Sequence, residues 1–233
     1  MEHVILNSDA KSKPKLEERV YERKKSVIFK KTREKWGGLS NMAAGYPIEI
    51  SGIRLRTSEA LYQSCRYPHL PEVQGSIISE KSPMTAKMRG KPFRDSTRPK
   101  WDQIRIPIMK WCLKVKLVQN WDKFGNLLLE TGDSPIVEES NKDPFWSARP
   151  ESAEILKGTN ALGRLLMELR QQLIETPNSL EMVEPLPLEK FLLLNKPIET
   201  IYRDSNNYAL DHDKTESNLE SETESKRNMA FGF

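Results

Sequence analysis

The chain has 233 residues and a net charge of +4, enough length for one hydrophobic core with extensions, and a charge that suits a phosphate-bearing ligand without marking a nucleic-acid binder. No apolar run approaches the roughly 20 residues that span a bilayer, and Met1-Glu-His-Val-Ile-Leu-Asn-Ser-Asp9 lacks the basic start and long apolar stretch of a secretion signal, which predicts an intracellular, cytoplasmic protein with no membrane partner. Cys65 and Cys112 stand alone, without a Cys-x-x-Cys or His-x-x-x-His pair, so buried reduced thiols, no metal and no cofactor are expected.

Residues 1–35 read as a polar N-terminal extension, dense in charge from Asp9 to Lys35 apart from the short strand candidate Ser26-Val-Ile-Phe29. The core begins at Trp36. Tyr46 to Leu55 alternates apolar and polar residues about Ser51-Gly52, as a hairpin does. Thr57 or Ser58 caps a helix through Ala60 to Cys65 that Pro68 stops, and further helices are expected over Val73–Ile78, Ser82–Arg89, Trp101–Asn120 and Phe124–Thr131. Leu162, Leu165, Leu166 and Leu169 recur at helical spacing after Asn160, a credible cap. Residues 176–204 mix prolines with an apolar run and read as a segment packed back on the domain; residues 205–233 read as a disordered polar tail. The resulting fold class is α+β: a predominantly helical single domain over residues 36–175 with a small N-terminal strand and hairpin region.

Several residues could carry chemistry. Met109, Cys112, Leu113, Lys116 and Asn120 share one helix face, which puts Lys116 on an apolar side. Such a lysine either snorkels or pairs, or it is held neutral and acts as a nucleophile. Glu59, Tyr62, Gln63 and Arg66 share another face, read equally as pocket or solvated surface. Asp133, Glu138 and Asp143 occupy a turn-rich stretch ending in Phe145 and Trp146, where each acid alone is an ordinary turn residue and the indole is either a stacking wall or rim packing. Lys157-Gly-Thr-Asn160 opens the leucine-striped helix, an arrangement whose outward N–H groups would suit a phosphate. The basic residues from Lys81 to Lys100 read as a solvated face, with a nucleic-acid contact as the alternative.

Taken together, Gly38-Leu-Ser-Asn41, Thr57-Ser-Glu-Ala-Leu-Tyr-Gln63, Ser82-Pro-Met-Thr-Ala-Lys87, Arg98-Pro-Lys-Trp-Asp102, Lys116-Leu-Val-Gln-Asn120, Thr131-Gly-Asp133, Ile136-Val-Glu138, Asp143-Pro-Phe-Trp146 and Asn160 to Arg170 resemble the NADAR family in order and spacing over residues 36–172. The resemblance implies an N-glycosidase of mostly helical α+β fold. Its substrate would be ADP-ribose on guanine in DNA or a nucleotide, with transient DNA contact, or a ribosylamino-pyrimidine intermediate of riboflavin synthesis; a binding module for ADP-ribose or NAD without turnover is the non-enzymatic alternative. Carried over residue by residue, it implies Glu59, Lys116 and Asp143 as catalytic, Lys116 as a Schiff-base lysine with Lys87 and Lys157 as rivals, and Asn41, Trp101, Trp146, Lys157 and Asn160 as substrate-binding. The chain departs from the pattern at Arg66, where many relatives have lysine, at Ser147, where they have glycine, and at Ala148 to Leu156, which replaces a glycine-rich run.

Overall fold

The computed structural model describes residues 17–203. Two strands come first, β1 (Arg19–Glu22) and β2 (Val27–Phe29), then a hairpin of β3 (Ile48–Ile50) and β4 (Ile53–Leu55). Ser51 and Gly52 both take the left-handed conformation at its tip, at φ 50° and 77°, as the two central residues of a tight hairpin require. Five helices follow: α1 (Ser58–Ser64), α2 (Pro71–Ser79), α3 (Pro83–Arg89), α4 (Trp101–Val118) and α5 (Trp121–Leu129). Strands β5 (Ile136–Glu138), β6 (Arg149–Pro150) and β7 (Ile155–Gly158) lead into α6 (Ala161–Glu175), and the described chain ends in four two-residue strands, β8 (Met182–Val183), β9 (Leu192–Leu193), β10 (Lys196–Pro197) and β11 (Ile201–Tyr202). Among the described residues no helix is long and apolar enough to cross a membrane.

The helix starts follow local chemistry. Thr57 Oγ1 accepts from Ala60 N at 3.3 Å and Ser82 Oγ from Thr85 N at 3.4 Å, each satisfying an amide that the first turn leaves free. α4 carries the core: Ile108, Met109, Trp111, Cys112, Leu113, Val115, Leu117 and Val118 are all buried, too wide a stripe for a surface helix, because α1, α5 and α6 surround it. The two cysteines are free and buried, and burial pushes the Cys112 thiol well above its usual range.

The sheets are assembled from distant segments. β2 pairs in parallel with β5, matching Phe29 to Glu138, and β1 pairs antiparallel with β7, matching Val20 to Lys157. The N-terminal segment expected to be a polar extension up to residue 35 therefore supplies two strands, of which Tyr21 and Phe29 reach the interior. Residues 1–16 of that extension, and the tail from 205, lie outside the described residues. Residues 176–203 pack on the domain: Leu193 and Leu180 are fully buried, Phe191 meets Trp111 edge-on at 4.9 Å, and the Trp111 indole donates to Glu184 O at 2.9 Å.

One contact fixes how closely α6 approaches β5. A Cβ on Gly163 would collide with the Ile136 carbonyl and with the Asn160 amide, so only glycine lets the helix lie this near the strand.

Candidate active site

β5 ends at Glu138, Glu139 follows it in extended backbone, and such geometry sends consecutive side chains to opposite faces. Glu139 meets Arg23 and Lys30, each at 2.8 Å, and the hydrogen bond from Arg23 leads in holding its carboxyl below the usual range. Glu138 turns the other way. Burial, reinforced by the negative charges of Glu59 and Asp143, pushes its carboxyl up to about 8, while the charge of Lys87 acts in the opposite direction. The charges of Glu59 on α1 and Asp143 in the turn before β6 thus both act on Glu138, as does that of Lys87, an exposed residue of α3.

Each member is positioned by its own element. Glu59 lies in the first turn of α1, buried, and accepts from Gln63 Nε2 at 2.9 Å across one helical turn. Its backbone N–H donates to Asn41 O at 3.0 Å. Asp143 Oδ1 accepts the amides of Phe145 at 3.1 Å and Trp146 at 3.0 Å, so this carboxylate also builds the turn that orients the indole. The cluster lies along an aromatic wall: Tyr62 is 5.3 Å from Trp101 and 5.7 Å from Trp146 between ring centroids, and Trp146 is 5.0 Å from Phe145. Burial and the charge of Glu59 push the Tyr62 phenol far above its ordinary value, so it keeps its proton at any physiological pH.

The remaining residues expected at the site take other places. Asn160 heads α6 with φ 49°, yet its side chain makes no helix cap; Nδ2 donates to Ile136 O at 2.8 Å and Oδ1 accepts from Glu138 N at 3.1 Å. Fully buried, it holds β5 and hence Glu138. The α6 N-terminus, expected to offer open N–H groups to a phosphate, offers none from its first two residues: Ala161 N donates to Phe145 O at 3.0 Å and Leu162 N to Trp146 O at 3.1 Å. The aromatic turn folds over the helix end and consumes those donors. Lys157 sits on β7, with its amine 3.6 Å from Glu151.

Asn41 is buried, takes the Ser58 hydroxyl on Oδ1 at 3.0 Å and directs Nδ2 at Met109 Sδ, which ties its loop to α1 and α4. Lys116 is 1 % exposed, and its amine donates to Gly38 O at 2.6 Å and Ser40 O at 3.1 Å while facing the rings of Phe124 at 4.1 Å and Tyr46 at 4.4 Å. Burial holds this ammonium well below the usual lysine range. No hydrogen bond or ion pair joins it to Glu59, Glu138 or Asp143 among the described residues. Glu138 was read in the sequence as one of three acids in a turn-rich stretch and given no site role, because such an acid is commonplace; its signal was the apolar Ile136-Val137 pair before it, which marks a buried strand.

The family follows from comparison. The NADAR domain model matches residues 28–174. The chain belongs to the NADAR family. N-glycosidase YbiA of Escherichia coli is 32% identical over 147 residues, which cover 63% of this chain and 88% of that protein. An N-glycosidase of Nostoc punctiforme is 27% identical over 64% of this chain and 92% of its own length. A riboflavin biosynthesis protein of Vibrio vulnificus is 30% identical over 64% of this chain but only 39% of its own. The solution structure of Escherichia coli YbiA superposes with a TM-score of 0.55 at 30% identity, over 69% of this chain and 94% of that one. This NADAR protein is a hydrolase of N-glycosyl compounds with the α+β single-domain fold of that relative.

Proposed function

We propose that the chain cleaves the bond between ribose C1 and a base nitrogen with Glu138 as general acid, and that its substrate is ADP-ribose linked to guanine in DNA or a nucleotide. The observation that carries this reading is a carboxyl pushed up to about 8 beside Glu59 and Asp143, under a wall of Tyr62, Trp101 and Trp146. A base departs from C1 far more readily when its nitrogen is protonated, and a donor needs a pKa near the working pH. Glu138 meets that requirement; the negative charge of Glu59 stabilises the positive charge that develops on the sugar as the C1–N bond breaks. The indoles and the phenol ring offer faces on which the base stacks.

A neutral lysine amine then bonds to C1; the ring C1–O bond breaks, the ring oxygen taking a proton, to leave an open-chain imine, and water adds to that imine to return the free sugar and the amine. We assign this role to Lys87 of α3, the lysine whose charge is felt at Glu138; it gives its ammonium proton to the solvent it faces before its lone pair attacks C1. Lys116, the amine that helix spacing and family resemblance favour, has its donors committed to the Gly38 and Ser40 carbonyls, and we assign it to holding the loop that carries Asn41 under Glu59.

A second reading is favoured by the relative named as a riboflavin biosynthesis protein: the same residues would act on a ribosylamino-pyrimidine. Incubation of the protein with ADP-ribosyl-guanine DNA and, separately, with the ribosylamino-pyrimidine, followed by mass spectrometry of released base and sugar, distinguishes the two. Release of ADP-ribose from the DNA, abolished by Glu138→Gln, is the expected result. Release only from the pyrimidine moves the assignment to the second reading; release from neither overturns both.

A further inference from the structure

Two guanidinium groups flank the aromatic wall and have no use in the scheme above. Arg66 follows α1 and lies over Trp101, Cζ 4.8 Å from the ring centroid; Arg105, on the second turn of α4, lies 3.7 Å from the centroid of Phe145. Tyr62 stands between them, and both positive charges act on its phenol. The Nε atoms of both arginines are buried without a hydrogen-bond partner. Arg105 has one ionic neighbour, Asp102 at 3.6 Å, itself 88% exposed, and Arg66 has none among the described residues.

A buried N–H without a partner is costly, and among the described residues neither guanidinium spends its donors on a hydrogen bond to a protein acceptor, which leaves the outer edge of each fork for an acceptor that arrives from outside. The negative charges of Glu59 and Asp143 that act on Glu138 also repel an anion at the reacting carbon. The arginines, along the wall from them, attract one. A ligand that satisfies both ends is a neutral glycosidic centre carrying an anionic group, and a guanidinium stacked on a ring keeps its planar fork of donors for two oxygens of one phosphate.

We propose that Arg66 and Arg105 form a phosphate clamp that binds a phosphate ester of the substrate and sets its position against the carboxyl cluster; this rests on the N-glycosidase reading for the identity of the substrate, but not for the binding itself. The phosphate comes either from the sugar's own phosphate or diphosphate or from the backbone of a nucleic acid. Titration calorimetry of the full chain with inorganic pyrophosphate and with unmodified single-stranded DNA separates the sources. Pyrophosphate binding weakened by about tenfold or more in both Arg66→Gln and Arg105→Gln, with Arg105→Lys retaining part of it, supports a sugar phosphate. The same pattern for DNA alone supports the backbone. Unchanged binding of both probes in the two glutamine variants overturns the clamp.

A second measurement needs no variant. In the wild-type protein, pyrophosphate should inhibit base release competitively, and kcat/KM should favour the phosphorylated over the dephosphorylated substrate; equal kcat/KM for the two, with no inhibition, refutes the clamp while leaving the glycosidase reading intact. Arginine-dependent pyrophosphate binding in a protein that releases no base has the reverse meaning.

Discussion

Replacing Glu138 by glutamine should make the protein more stable and nearly inactive, two effects of opposite sign from one atom change. The folded carboxyl sits near 8 against an ordinary 4.5. Its folded-state value is raised, so its contribution to stability is intact below pH 4.5 and is lost as pH rises through 8: in that window the native state holds a proton that the unfolded chain has released. The loss is about 1.4 kcal/mol per pH unit, on the order of 3 kcal/mol at pH 7 and 5 kcal/mol above pH 8. Glutamine keeps the shape and carries no titrating charge. Urea unfolding of both proteins at pH 5 and pH 9 should therefore give nearly equal stabilities at the lower pH and a variant several kcal/mol more stable at the higher. The same substitution removes the proton donor and should lower kcat by about a hundredfold or more, and the wild-type rate should fall as pH rises past 8. Equal stabilities at pH 9, or a variant within a few-fold of wild-type kcat at pH 7, would refute the assignment of a protonated Glu138.

Asn160→Ala places alanine at φ 49° and deletes two buried hydrogen bonds to β5, which should cost about 3 kcal/mol in denaturant unfolding and reduce kcat more than it raises KM, since Glu138 loses its anchor. Gly163→Ala, which forces a methyl into the Ile136 carbonyl, should destabilise by about 3 kcal/mol, and recovery of full stability would show that α6 can retreat from β5. Borohydride trapping of substrate on the protein should disappear in Lys87→Met and persist in Lys116→Met; the opposite pattern returns the imine to Lys116. Trp146→Ala should raise KM by about tenfold for a base-bearing substrate, a loss of roughly 1–1.5 kcal/mol of stacking.

Much of the helical architecture was legible because it depends on neighbours in sequence. Thr57 and Ser82 announce helix starts, and the face of α4 that holds Met109, Cys112 and Lys116 is buried as its periodicity implied. What escaped depends on pairing across distance. Ser26 to Phe29 could be read as a strand but not as a partner of Ile136 to Glu138, since two three-residue strands carry no register. Asn160 looked like a cap because capping is a local rule, whereas its amide is spent on a strand 24 residues earlier. Lys116 was placed on the correct face, yet the carbonyls that receive its protons lie in a glycine turn near residue 38, which periodicity in α4 cannot reveal. The perturbed carboxyl of Glu138 is likewise a property of what surrounds it.

The pairing of Phe29 with Glu138 also has a meaning for synthesis on the ribosome. Strand β2 waits unpaired until more than 100 further residues have emerged, and β5 is not locked until Asn160 and Gly163 follow. The reactive groups therefore come together only after α6 has left the exit tunnel. A chain halted earlier has its glutamates, tryptophans and lysines, all in water and far apart, and should be chemically silent toward the nucleotides around it.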